Sequence, residues 1–163
     1  MNAVMTSLLP SHVGINCYND FIGLPPEVEH LTVEANCCNE DGFVTLDLTR
    51  FHNLKRLHVM DGSLKKVKDL KLDGLTKLES IEVGKDCFSE AASGTFEVKN
   101  CESLKTIAIG ESCFCLYDSF ALERMALLLH FMSRLAYAIF HNDREREFEE
   151  RERLETEWIR STG

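Results

Sequence analysis

The sequence predicts a β-rich solenoid, with two strands per coil stacked into two parallel sheets and an α-helical segment at the C-terminal end. Three observations lead there. First, Leu54-Lys55-Arg56-Leu57-His58-Val59 returns as Leu78-Glu79-Ser80-Ile81-Glu82-Val83 and as Leu104-Lys105-Thr106-Ile107-Ala108-Ile109, with a weaker copy at Glu29-His30-Leu31-Thr32-Val33. Self-similarity at a period in the twenties is the signature of stacked coils. Second, each copy carries two alternating apolar clusters, the pattern of half-buried strands. Leu57 and Val59, Ile81 and Val83, and Ile107 and Ile109 form the first cluster; Leu46 and Leu48, Leu70 and Leu72, Phe96 and Val98, and Phe120 and Leu122 form the second. Third, the link from second to first strand is a constant 9 residues (Leu48 to Leu57, Leu72 to Ile81, Val98 to Ile107), while the reverse link alternates between 13 (Val33 to Leu46) and 11 (Val59 to Leu70). Registers hold while one loop absorbs the variation, as stacked coils tolerate.

The elements follow in order. Residues 1–27 read as a lead-in and cap, with Leu24-Pro25-Pro26 stiff and extended and Val13, Ile15, Tyr18, Phe21 and Ile22 offering apolar cover for the first coil. Residues 28–125 form about four coils. Two further core files are expected, Phe51, Leu75, Cys101 and Met125 in one, and Cys38, Leu64, Phe88 and Phe114 in the other. Cys38 stands where later copies have larger side chains, so its coil should pack less well. Gly84 and Gly110 close the first strand of two coils, where a tight corner with positive φ is expected; Gly62 and Ser63 mark the copy that departs most. The outward columns of the second strand, Asp47, Lys71, Glu97, Ala121 and Thr49, Asp73, Lys99, Glu123, mostly alternate in sign, which suits in-register parallel neighbours. Residues 126–163 change character. Ala126 to Phe140 is Ala- and Leu-rich without Gly or Pro, favouring a helix, and is shorter than the ~20 residues that span a bilayer. It reads as a cap on the last coil, with self-association, a partner helix or a membrane-associated helix as the alternatives. Asn142 to Arg160 continues as a solvated helix in which Glu147 with Arg151 and Glu149 with Arg153 are favourably ordered pairs.

Composition narrows the function. The 163 residues hold 18 Lys and Arg against 27 Asp and Glu, a net charge of −9. Such a chain repels phosphate backbones and anionic bilayers, so neither nucleic-acid binding nor attachment to an anionic membrane surface is expected, and the short apolar run argues against a membrane span. Met1 to Pro10 lacks the basic start and apolar run of an export signal, and the 7 Cys show no CxxC spacing. Reduced thiols and a cytoplasmic setting are the expectation, with a secreted or cell-surface one as the alternative.

Candidate chemistry is sparse. Cys37, Cys87 and Cys113 share one repeat position, with Ser63 between them and Cys115 nearby. No His joins that column, and tetrahedral zinc wants four ligands; small residues in a tight loop are the simpler reading. Cys101 reads as core. No phosphate loop, GxSxG elbow or HExxH motif occurs, so no metal, cofactor or catalytic residue is expected. The outward face of the first strands, His30, Thr32, Arg56, His58, Ser80, Glu82, Thr106 and Ala108, is the least charged exposed sheet and the candidate partner surface.

Leu78-x-x-Ile81-x-Val83-Gly84-Lys85-Asp86-Cys87-Phe88 and Cys101-x-x-Leu104-x-x-Ile107-x-Ile109-Gly110-Glu111-Ser112-Cys113-Phe114 resemble leucine-rich repeats of the surface-antigen (BspA-like) type. The resemblance covers residues 28 to 125 and departs in an extra strand-like segment such as Thr95-Phe96-Glu97-Val98. It implies protein binding or adhesion and carries no shared catalytic residues. The expected function is therefore a protein-binding or scaffold module. A surface adhesion protein, or a fragment of a longer repeat protein, is the alternative.

Overall fold

The structure is a computed structural model and describes residues 11–124. The expected helices within 126–163, and Met125, lie outside the described residues. Within residues 11–124 the chain winds into a parallel β-solenoid of about four turns. The elements are β1 (His12–Ile15), α1 (Tyr18–Ile22), β2 (His30–Val33), β3 (Thr45–Asp47), β4 (Arg56–Val59), β5 (Asp69–Asp73), β6 (Ser80–Val83), β7 (Gly94–Lys99), β8 (Thr106–Ile109) and β9 (Tyr117–Glu123). Alternate strands fall into two sheets, one ordered β1-β2-β4-β6-β8 and the other β3-β5-β7-β9.

The register places equivalent residues on top of one another. Leu31, Leu57, Ile81 and Ile107 are successive partners in the five-stranded sheet, and Leu46, Leu70, Phe96 and Phe120 in the other. Leu57 and Ile81 are fully buried, whereas Ile107, Ile109, Phe120 and Leu122 in the last described coil are partly buried against the same core. The inward residues of the two sheets face each other across a thin apolar layer, which accounts for the period-two alternation in both strand sets.

The corners carry the strain. Asn36, Gly62, Asp86 and Ser112 stack in one left-handed column, and Cys38, Leu64, Phe88 and Phe114 in a second. Asn, Gly and Asp suit that conformation. Phe does not, and the left-handed geometry costs a bulky residue about 1–2 kcal/mol. Full burial of a Phe side chain contributes about 1.5–3 kcal/mol, and Phe88 stacks on Phe114 with ring centroids 4.6 Å apart, so packing wins.

Gly84 and Gly110 depart from expectation. Neither is among the residues with positive φ; the left-handed positions lie two residues later, at Asp86 and Ser112. Both glycines are instead needed for the close approach of one coil to the next. A Cβ on Gly84 would lie 2.7 Å from the Asp61 backbone nitrogen, and one on Gly110 would lie 2.6 Å from the Gly84 carbonyl carbon.

The N-terminal end differs too. β1 lies inside the 1–27 segment and extends the sheet by one strand, pairing His12 with His30 and Ile15 with Val33. In the first coil Cys38 is buried, and Phe43, also fully buried, meets Phe21 at 5.4 Å and Tyr18 at 4.8 Å. Arg50 holds α1 down by donating to the Phe21 carbonyl at 2.9 Å while its guanidinium lies 4.6 Å from the Phe51 ring.

Candidate functional site

The outward face of the five-stranded sheet is built by strand alternation alone, because each strand turns its second and fourth residues toward the core and presents its first and third. Two columns result. His12, His30, Arg56, Ser80 and Thr106 are successive partners in one; Gly14, Thr32, His58, Glu82 and Ala108 in the other. All eight residues expected on this surface thus share one face. His30, Thr32, His58 and Ser80 are half-buried, while Arg56, Glu82, Thr106 and Ala108 are exposed.

His12 is the member that sequence reasoning missed. Its strand, His12-Val13-Gly14-Ile15, has the same alternation as His30-Leu31-Thr32-Val33, but it lies 18 residues upstream instead of the 24 or 26 that separate later first strands. The two imidazoles stack with centroids 4.0 Å apart and planes 6° from parallel. His30 titrates below the usual histidine range, first because burial disfavours its charged form and then because His12 and Arg56 stand beside it. Its Nδ1 is buried with no hydrogen-bond partner among the described residues.

A third column runs beside the first, just ahead of each strand: Glu29, Lys55, Glu79 and Lys105, linked coil to coil by backbone hydrogen bonds. It neutralises itself. Lys55 pairs with Glu29 at 3.1 Å and Lys105 with Glu79 at 3.7 Å. Lys55 holds the Glu29 carboxyl below the usual carboxylate range. Arg56 forms no ion pair among the described residues, and none joins it to Glu82.

The opposite face is different. In the four-stranded sheet Lys99 reaches Glu97 at 3.5 Å and Glu123 at 3.4 Å, and Asn100 donates to Asp73 at 2.7 Å. The expected charge columns are in register from Asp47 to Ala121 and from Asp73 to Glu123. β3 ends before Thr49, which instead bonds Asp47 at 2.7 Å.

The cysteine column occupies the core edge of the corners. Cys87 and Cys113 are fully buried, as is Ser63, and each bonds a backbone carbonyl of the preceding coil. Ser63 donates to Glu34 at 2.6 Å, Cys87 to Met60 at 3.2 Å and Cys113 to Gly84 at 2.9 Å. The adjoining Cys87 thiol, and then burial, push Cys113 far above the ordinary thiol range. A thiol so held is a poor nucleophile. Cys37, half-buried, lies one step earlier and contacts Asn16 at 3.6 Å; Cys101 is fully buried in the core. Among the described residues no three His, Cys, Asp or Glu side chains gather as metal ligands, and no helix is long and apolar enough to cross a membrane.

No protein-family model, curated protein or solved structure matches this chain.

Proposed function

We propose that the chain is a protein-binding module of leucine-rich-repeat character, acting as a scaffold without catalysis, and that it holds its partner on the outward face of the five-stranded sheet. The contrast between the two outward faces carries this reading. On the four-stranded face Lys99 is shared between Glu97 and Glu123, and the Asp47 and Asp73 carboxylates accept from Thr49 and Asn100. The five-stranded face offers short side chains at Thr32, Ser80, Thr106 and Ala108 around Arg56 and Glu82, neither of which is ion-paired among the described residues, so a partner can approach closely without breaking internal ion pairs there. Thiols that bond backbone carbonyls support a reducing, cytoplasmic setting.

Affinity capture with the full chain, followed by mass spectrometry, tests the reading against a double variant, Arg56→Ala with Glu82→Ala. A protein enriched by the wild type and lost with the variant is the expected result. Equal capture by both removes this face from the proposal.

A further inference from the structure

We propose that the column His12, His30, Arg56, Ser80 and Thr106 is a track for an extended acidic peptide segment, one bearing Asp or Glu side chains. The inference deepens the binding-module reading and rests on it.

Every residue of that column has a side-chain hydrogen-bond donor or becomes one on protonation, and none is a carboxylate. Its flank contributes no free cation or anion, because Glu29 and Lys55, and Glu79 and Lys105, satisfy each other. The column therefore keeps an uncompensated positive character that Arg56 supplies at all pH values. Glu29 and Glu79 adjoin the column but are taken up by Lys55 and Lys105, and the remaining nearby carboxylates lie off it: Glu82 sits opposite His58 in the second column, and the Glu34 carboxylate lies over Gly14. A net charge of −9 does not defeat the attraction. At physiological salt, charges beyond about 8 Å are screened, so the adjoining column outweighs the distant surface.

Size fits as well. Five strands at ~4.8 Å spacing span about 19 Å, the length of about six extended residues. Guanidinium–carboxylate contacts supply charge-assisted bonds, and the Ser80 and Thr106 hydroxyls extend the donor row. A bound carboxylate also favours the protonated imidazoles. Acidic-peptide binding should therefore strengthen as pH falls, and because His30 titrates low the gain should come toward the acid side of the histidine range. The groups that set this response are His12 and Arg56 on the neighbouring strands, with Glu29 and Lys55 beside His30.

The test is fluorescence-anisotropy titration of the full chain with a labelled glutamate-rich peptide of about six residues, against a lysine-rich peptide and an oligouridylate. Saturable binding of the acidic peptide alone is expected, tightening as pH falls from about 8 to about 5. Arg56→Ser should weaken it about tenfold, the loss of one charge-assisted bond, whereas Lys68→Ser, outside the column, should leave it unchanged. Thermal melting of Arg56→Ser confirms that the fold persists. Binding of the oligouridylate, equal affinity for the lysine-rich peptide, or indifference to Arg56→Ser overturns the acidic-track inference. A partner captured through Arg56 and Glu82 would still uphold the binding-module reading, so the two fail separately.

Discussion

Replacing Gly84 by Ala places a methyl group between two coils. The added Cβ would meet the Asp61 backbone nitrogen at 2.7 Å and the Met60 carbonyl carbon at 3.0 Å, with the Asp61 carboxylate closer still. Backbone cannot rotate away as a side chain can. The same carboxylate accepts the Lys85 amide at 2.8 Å, so displacing it also loosens a corner hydrogen bond. Overpacking costs about 1–3 kcal/mol, and the upper half of that range applies where the obstacle is main chain. Reduced freedom of the unfolded chain returns about 0.4–1 kcal/mol. The net expectation is a loss of about 2 kcal/mol, a fall of about 1 M in the urea midpoint for an m-value near 2 kcal/mol/M. Urea unfolding followed by far-UV circular dichroism measures it. Gly42→Ala is the control, because nothing lies within 4 Å of its Cβ position and its φ is not left-handed; it should be neutral or slightly stabilising. Gly84→Asn separates the two explanations for glycine at this position. Asn tolerates left-handed φ well, so an Asn variant close to wild type, with Ala impaired, would mean that backbone angle and not coil contact demands the glycine. If Ala and Asn were both as benign as Gly42→Ala, the close approach itself would be refuted.

Arg50→Ala removes the contacts that hold α1 down and should cost about 1–2 kcal/mol locally; amide exchange should accelerate in Tyr18–Ile22 while β4 to β7 stay protected. Thiol labelling at neutral pH should modify half-buried Cys17 and Cys37 first, with Cys87, Cys101 and Cys113 reacting only at the rate of unfolding. Rapid labelling of Cys87 in native protein would contradict the closed corner. Burial pushes the Cys38 thiol up to about 12 from an ordinary thiol value of 9.0, so above about pH 9 the unfolded chain releases a proton that the folded chain keeps. Stability should be unaffected by Cys38 below that range and fall as pH rises toward 12; a Cys38→Ala variant, whatever its overall loss, should show a flatter alkaline decline. Lys99→Ala breaks the pairs of half-buried Lys99 with half-buried Glu97 and exposed Glu123 and should cost about 1 kcal/mol, an effect that about 1 M salt should reduce.

The register was legible because strand alternation and a constant 9-residue link leave little freedom: a slip of one residue would turn Leu57 and Val59 outward. What escaped was of a different kind. The left-handed corners at Leu64, Phe88 and Phe114 carry no local signal, since the residues are there for burial and accept an unfavourable φ as its consequence. Gly84 did advertise a special backbone position, but glycine serves both positive φ and close approach, and only the neighbouring coil distinguishes them. Phe43 was hidden for the same reason. It lies in the variable loop, outside either alternating cluster, yet it is fully buried against Phe21 and Tyr18.

The candidate face shows how a site can be half readable. Its residues were named from outward parity, which needs only sequence, but the separation into a donor column and a mixed column depends on which strand lies beside which. Arg56 neighbours Lys55 in the chain, and a sequence view would let Glu29 or Glu79 compensate either one. Stacking settles the competition, because Glu29 and Glu79 lie in the files of Lys55 and Lys105 and are taken up there. His12 then gains meaning from β1 alone, as an added strand that extends the donor row instead of closing it with a neutral cap. A device made this way needs no residue unusual in itself. It follows from repeating one side-chain parity through successive coils while the adjacent position alternates in charge.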